Sequence, residues 1–94
     1  MNSTAKPIRV YVPVEVNFDS SGNMRPRVIT WEDGQKYEID RITDVRCGPS
    51  RRDGGGADRY TVRINGQQRY LFFERGDMVV GCRLGRWFVE RKTA

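Results

Sequence analysis

The sequence contains no histidine, and its only cysteines are Cys47 and Cys82. Histidine is the side chain that most often serves as a general base or a metal ligand near neutral pH, so its absence removes the usual way to build either kind of site. No Cys-x-x-Cys pair is present to hold zinc, and neither cysteine stands in a motif that supplies a base. We therefore expect no metal site, no cofactor and no catalytic residues, and we expect buried free thiols rather than a disulfide.

Long hydrophobic runs are also missing. No apolar stretch approaches the ~20 residues that a membrane-spanning helix requires. The first residues, Met-Asn-Ser-Thr-Ala-Lys-Pro, lack the apolar segment of a signal peptide. These absences predict a cytoplasmic protein without a membrane partner.

Lysine is scarce, and arginine takes its place. Of the 17 basic residues only Lys6, Lys36 and Lys92 are lysine, and 12 acidic residues leave a net charge of +5. Arginine offers a planar fork that fits phosphate or carboxylate and stacks on aromatic rings, which lysine does not. The balance favours an anionic partner, although a net charge of this size is also ordinary for a soluble domain.

The length and the strand patterns predict one small all-β domain. A chain of 94 residues is enough for one modest core. Short alternating segments between turn residues are typical of a small antiparallel barrel or a strongly curved sheet of about six to seven short strands, in the SH3-like or OB-like size class. We assign 1–94 to this domain, with a flexible N-terminus at 1–7, a glycine- and arginine-rich loop at 47–58, and final strands at 78–83 and 86–90.

The first part of the chain reads as a meander. Residues 8–18 alternate between aliphatic and other side chains, which predicts one half-buried strand. Pro13 removes a backbone donor and so indicates an edge position or a bulge. A loop at 19–23 would then set Val14 opposite Val28, with Phe18 opposite Met24 at the loop itself.

A second turn, at Asp33-Gly34, gives a register that can be compared with the first. A two-residue turn there sets Val28 opposite Ile39 and Arg27 opposite Asp40. Both turns place the Val28 face in the core, and their agreement supports the meander. Arg27 and Asp40 are then predicted to form a cross-strand ion pair.

Residues 59–73 predict a second hairpin, closed at Asn65-Gly66. A three-residue loop sets Tyr60 opposite Tyr70, and we prefer it to the two-residue turn because it pairs aromatic with aromatic side chains. Tyr60, Tyr70 and Phe72 then pack in the core. Arg59, Arg63 and Arg69 share the opposite face, with no carboxylate among their predicted neighbours.

This arginine face is the candidate binding surface. Small β-domains bind single-stranded nucleic acid with basic grooves and exposed aromatic rings. The candidate residues are Arg51, Arg52, Arg59, Arg63, Arg69 and Trp31. Two alternatives stay open, because arginine stems can simply cover a solvated sheet and a tryptophan is often a core residue.

We therefore predict a non-catalytic binding domain of unknown partner, with nucleic acid as the leading candidate. The alternative is a protein–protein interaction or self-assembly module that uses the valine-rich edge strand 8–18, including a homodimer through that edge. An enzyme ranks last. Carboxylate pairs such as Glu32/Asp33 and Asp40/Asp44 exist, but no catalytic or calcium-binding motif surrounds them.

Several short motifs resemble a group of short uncharacterised bacterial proteins. The motifs are Trp-Glu-Asp-Gly at 31–34, Tyr-Glu-Ile at 37–39, Arg-Tyr-Thr-Val at 59–62, Tyr-Leu-Phe-Phe-Glu at 70–74 and Trp-Phe-Val-Glu at 87–90. The resemblance covers most of 8–91 and consists of turn and core signatures. In that group the last two motifs lie close together, whereas 75–85 separate them here. The resemblance implies no activity.

Overall fold

The computed structural model describes residues 7–48, 56–76 and 84–92. These residues form antiparallel strands and no helix, which confirms the all-β prediction. The strands are β1 (Pro7–Tyr11), β2 (Val14–Phe18), β3 (Met24–Thr30), β4 (Lys36–Glu38), β5 (Arg41–Arg46), β6 (Ala57–Ile64), β7 (Gln67–Arg75) and β8 (Gly85–Lys92).

The described strands form two sheets that are not closed into a barrel, which was one of the two predicted forms, the other being a strongly curved sheet. A five-stranded sheet has the order β1-β8-β7-β6-β5, and a three-stranded sheet has the order β2-β3-β4. Eight strands are described where about six to seven are expected, largely because the predicted strand 8–18 is divided into two. The strand expected at 78–83 lies outside the described residues.

The predicted strand 8–18 is divided at Val12 and Pro13. The Val12 N–H donates to the carbonyl of Trp87 at 3.0 Å, and the Pro13 carbonyl accepts from Thr30 N–H at 3.0 Å. The two consecutive residues Val12 and Pro13 thus link the two sheets, and the strand is interrupted here because proline has no N–H with which to continue a ladder. β1 and β2 are both edge strands, as Pro13 indicated.

A bulge in β3 shifts the face that the smaller sheet buries. The loop 19–23 sets Phe18 opposite Met24 as predicted, but Val14 lies opposite Ile29 rather than Val28. Glu15 and Val16 are consecutive and face Val28 and Pro26, so Arg27 is the extra residue. Ile29 therefore becomes the buried residue, at 5% exposure.

The turn after β3 is also one residue longer than predicted. The Trp31 N–H donates to the Gln35 carbonyl at 2.8 Å, so the loop is Glu32-Asp33-Gly34. Gly34 has a φ of 86°, the left-handed conformation that glycine adopts at low cost. The expected Arg27–Asp40 pair is wrong in consequence, because the Arg27 carbonyl accepts from Ile39 N–H and Asp40 N–H donates to Arg63.

The Asn65-Gly66 hairpin has a two-residue turn and not the predicted three-residue loop. Asn65 and Gly66 have φ values of 53° and 77°, and Ile64 lies opposite Gln67. Positive φ at both positions is the type I′ geometry that Asn-Gly favours. Tyr60 therefore lies opposite Leu71, and the predicted Tyr60–Tyr70 pair is wrong.

The core lies between the two sheets. Its buried members are Val10, Val12, Ile29, Tyr60, Val62, Leu71, Phe73 and Trp87. The Trp87 ring centre lies 5.1 Å from that of Tyr60 and 4.8 Å from that of Phe73, and this aromatic contact fills the middle of the layer. Cys47 is a free thiol and is exposed rather than buried, and Cys82 lies outside the described residues.

Candidate nucleic-acid interface

The five-stranded sheet turns one face to the core and the other away from the smaller sheet. We call the second the outer face. Residues directly opposite each other on paired strands point to the same side of a sheet, so the strand registers define its members. They are Arg9, Tyr11, Arg41, Asp44, Arg46, Ala57, Arg59, Thr61, Arg63, Gln68, Tyr70, Phe72, Glu74, Arg86, Phe88 and Glu90.

Aromatic rings form a row across the outer face. The rings of Phe72 and Phe88 are stacked, with centres 5.0 Å apart and planes 6° apart. Tyr11 meets Phe88 edge-on at 5.6 Å. Phe88 is only 1% exposed, although it faces away from the main core. The outer face thus has its own small apolar layer.

Arginine side chains lie over these rings. The Cζ of Arg9 is 4.5 Å from the centre of the Phe88 ring, and that of Arg86 is 4.0 Å from the centre of the Tyr11 ring. Cations at such distances are attracted to the negative face of the ring. The guanidinium groups therefore lie close to the sheet, and arginine, unlike lysine, can contact a ring and still donate hydrogen bonds from its N–H groups.

Glu74 neutralises the arginines at the β1–β8 side of the outer face. Its carboxylate accepts a hydrogen bond from the Tyr11 hydroxyl at 2.6 Å and lies 3.4 Å from Arg86 and 3.7 Å from Arg9. The Tyr11 hydrogen bond, followed by the two arginines, lowers the pKa of Glu74, and partial burial opposes this only in part.

At the β5–β6 side, arginines lie opposite arginines. Arg41 is paired with Arg63, and Arg46 with Arg59. Directly opposite like charges destabilise a sheet. Arg46 contacts Asp44 at 3.2 Å, whereas no carboxylate of the described residues lies within ion-pair distance of Arg41, Arg59 or Arg63.

Arg59 and Arg63 have only weak local partners. Arg63 donates to the Gly66 carbonyl at 3.3 Å. The Cζ of Arg59 lies 4.8 Å from the centre of the Tyr70 ring, and its Nε is buried without a hydrogen-bond partner in the described part of the chain. No described carboxylate balances the charge of either side chain, so both can attract an anion, although the buried Nε of Arg59 does not itself reach the surface.

The sequence-predicted site residues divide among different places. Arg59 and Arg63 lie together on the outer face, but Arg69 lies on the opposite face, across from Val62, and donates to Gln67 at 2.6 Å. The prediction that the three share one face is therefore wrong. Trp31 is half-buried against the core, in line with its structural alternative. Arg51 and Arg52 lie outside the described residues.

Sequence reasoning missed much of the outer face. Tyr70, which the predicted register places in the core, is 46% exposed and lies beside Arg59. Arg41 was missed because nothing in the sequence pairs it with Arg63. The two-residue Asn-Gly turn was the available signal, since its register sets Tyr70 opposite Thr61 and Phe72 opposite Arg59.

Comparisons with protein families, with curated proteins and with solved structures found no match. The described residues contain no helix long and apolar enough to cross a membrane. Among the same residues no group of three or more cysteine, aspartate and glutamate side chains is arranged to hold a metal ion.

Proposed function

We propose that this protein is a non-catalytic domain that binds single-stranded nucleic acid through the outer face. The observation that carries the proposal is the Arg41–Arg63 pair, two arginines directly opposite each other in the strand register, with no carboxylate of the described residues within ion-pair distance of either. An exposed aromatic ring, Tyr70, lies on the same face. Phosphate would relieve the repulsion within the pair, and a base could stack on the ring.

The outer face carries both features of a site for single-stranded nucleic acid, namely aromatic rings and basic side chains. Sheet-based readers of single strands stack bases on aromatic side chains and hold the backbone with basic residues. Here Tyr70 and Phe72 occupy β7, and the arginines lie on β5 and β6 beside them. A single strand of nucleic acid that crosses β7, β6 and β5 in that order would contact aromatic rings first and guanidinium groups next.

The charge distribution of the outer face favours a binding role for it over that of a simple solvated surface. The opposed arginines cost the folded protein about 0.2–1 kcal/mol for each such pair, and the aromatic layer does not need them, since Arg9 and Arg86 already cover Phe88 and Tyr11. Asp44 lies between Arg41 and Arg46 on β5 and forms an ion pair with Arg46 at 3.2 Å, but no described carboxylate lies within ion-pair distance of Arg41, Arg59 or Arg63. We infer that the unpaired charge serves an anionic ligand.

The test is a binding titration with a matched control. A fluorescent oligothymidylate of about 12 nucleotides is titrated with the wild type, with Arg41→Glu/Arg63→Glu, and with Arg25→Glu/Arg27→Glu. The control changes the same charge on exposed arginines of β3, in the other sheet. We expect only the first double variant to lose binding.

Salt dependence distinguishes phosphate contacts from other binding. Between about 50 and 200 mM salt the wild-type affinity should fall steeply, and loss of two phosphate contacts should reduce the slope of log K against log salt by about 1.4. Equal effects of the two double variants, or no wild-type binding at low salt, would remove the proposal.

A second candidate function rests on the sheet edges. β1 and β2 are both edge strands, and they carry the exposed apolar side chains Ile8 and Phe18. An uncovered edge can pair with another chain or with a second copy. Sedimentation over a range of concentrations tests self-association, and a monomer at every concentration would count against a homodimer.

A further inference from the structure

A cavity opens beside the point where β7 and β8 separate. The two strands are paired from Arg75–Gly85 to Phe72–Phe88 and no further, although both strands continue. The cavity has a volume of about 780 Å³. This volume is within the range of about 300–1,000 Å³ that is typical of binding sites for small organic molecules.

The strand registers place most of the lining side chains in the layer between the two sheets. Residues directly opposite each other point to the same side of a sheet. In the five-stranded sheet, Ile64, Arg69 and Val89 are therefore on the core face. In the smaller sheet, Ile29 and Tyr37 lie opposite each other, and the buried Ile29 shows that this is its core face. These side chains face a common space.

Four residues line the cavity only where their strands border the gap. They are Gln68, Tyr70, Phe72 and Glu90. The registers place their side chains on the outer face, on the other side of the sheet. The Glu90 carboxylate is therefore directed away from the space between the sheets.

The apolar walls of the cavity are only half-buried. Trp31, Ile64 and Val89 pack against the core, yet each stays partly exposed, as does Tyr37. Apolar side chains that remain partly exposed around one cavity gain free energy when a ligand covers them. Because aromatic rings attract each other in offset or edge-on contact, the rings of Trp31 and Tyr37 favour a ligand that is itself aromatic.

Arg69 supplies a positive charge to the cavity. It is exposed, so it lies at the mouth and not at the floor. One N–H group of its guanidinium donates to Oε1 of Gln67 at 2.6 Å, and Gln67 also lines the cavity from the same face of β7. Arginine has five N–H donors, so this hydrogen bond leaves others for a ligand.

The charge of Arg69 is not balanced within the described part of the chain, where no carboxylate lies within ion-pair distance of it. Arg91, by contrast, contacts Glu32 at 2.9 Å, and this ion pair links the end of β8 to the loop after β3. An arginine fork fits a carboxylate with two parallel hydrogen bonds. One arginine balances a single negative charge, which matches a carboxylate better than a phosphate monoester with nearly two charges.

We propose that this cavity binds a small aromatic carboxylate, at a site that is separate from the outer face and independent of nucleic-acid binding. The ring of the ligand lies against Trp31 and Tyr37, and its carboxylate accepts hydrogen bonds from Arg69 at the mouth. An apolar body with one negative charge thus matches both the walls and the cation. An uncharged ligand of the same shape gains the apolar contacts but not the charge-assisted hydrogen bonds.

The experiment compares naphthoate with naphthalenemethanol, an uncharged alcohol that has the same ring system. Calorimetry measures the affinity of both probes for the wild type, for Arg69→Gln and for Arg27→Gln, which changes an exposed arginine of the smaller sheet. We expect the wild type and Arg27→Gln to bind naphthoate about three- to tenfold more tightly than the alcohol. Arg69→Gln should bind the two probes equally.

Methyl signals in nuclear magnetic resonance spectra show where the probes bind. Naphthoate should shift the signals of Ile29, Ile64 and Val89, whereas those of Ile8 and Val45, exposed apolar residues outside the cavity lining, should stay in place. The same spectra confirm that Arg69→Gln is folded.

Three results would each overturn the site: no binding of naphthoate to the wild type, equal shifts inside and outside the cavity, or a preference for the carboxylate that survives Arg69→Gln. None of them affects the proposed nucleic-acid interface, which uses the other face of the sheet.

Discussion

Arg41 on β5 and Arg63 on β6 lie directly opposite each other on the outer face, and no described carboxylate is within ion-pair distance of either. Replacement of one of them should therefore stabilise the protein while it weakens nucleic-acid binding. We expect Arg63→Gln to raise the free energy of unfolding by about 0.2–1 kcal/mol, measured by urea denaturation. Arg27→Gln serves as control, and a destabilised Arg63→Gln would argue that this arginine is structural.

Glu74 links stability to pH. Its pKa is lowered in the folded protein, first by the Tyr11 hydrogen bond and then by the arginines. A group with a lowered folded-state pKa stabilises the protein above its ordinary pKa, and that stability is lost as the pH falls through the folded-state value. We expect Glu74→Gln to cost roughly 1–2 kcal/mol near neutral pH.

The cost of Glu74→Gln should shrink as the medium becomes acidic. Urea denaturation of both proteins at several pH values down through the ordinary range of a glutamate measures this. A difference that does not depend on pH would mean that the ionised carboxylate is not what holds Tyr11, Arg9 and Arg86 together.

Tyr70 should contribute to binding rather than to folding. Because it is 46% exposed, Tyr70→Leu is expected to change the melting temperature little, yet to weaken oligothymidylate binding by about 1–3 kcal/mol, the usual contribution of one stacked base. Phe18→Leu, at a more exposed ring on β2, is the control. A large loss of stability with unchanged affinity would place Tyr70 in the packing of the outer face alone.

The turn at Asn65-Gly66 gives a test of the hairpin register. Since Asn65 has a φ of 53°, Asn65→Ala should cost about 1 kcal/mol, because alanine tolerates the left-handed conformation poorly. Gln67→Ala, on an exposed strand position, should cost little. In a three-residue loop with only Gly66 left-handed, Asn65→Ala would be neutral, so calorimetry on the two variants separates the registers.

This hairpin also shows what sequence patterns could and could not predict. The strands and the position of the turn followed from alternation and from Asn-Gly, but the register was chosen by pairing Tyr60 with Tyr70. The local backbone preference for positive φ determined the turn instead. Tyr70 consequently lies on the outer face, where an arginine covers its ring.

The predicted register of the smaller sheet was wrong for a different reason. Parity arguments assume that no residue is inserted between two turns, and here Arg27 forms a bulge while Gly34 belongs to a three-residue loop. Both changes depend on how β3 fits beside its neighbours and have no strong local signal. Ile29, and not Val28 as predicted, is therefore the buried residue of β3.

The candidate surface was predictable only in outline. Excess arginine and its concentration on β6 were visible in the sequence, and Arg59 and Arg63 do lie together. The partnership of Arg63 with Arg41 depends on contacts between β5 and β6, which residues 47–56 separate in the chain, and on a register shift between Ile42 and Asp44. Long-range register of this kind is not encoded in any short motif.

The most direct measurement of the central claim is a nuclear magnetic resonance titration that observes arginine Nε–Hε signals while oligothymidylate is added at low salt. We expect the signals of Arg41, Arg59 and Arg63 to shift and to saturate together, while those of Arg25 and Arg27 on the other sheet stay in place. Shifts of similar size on both sheets, or none on the outer face, would contradict the proposed nucleic-acid interface.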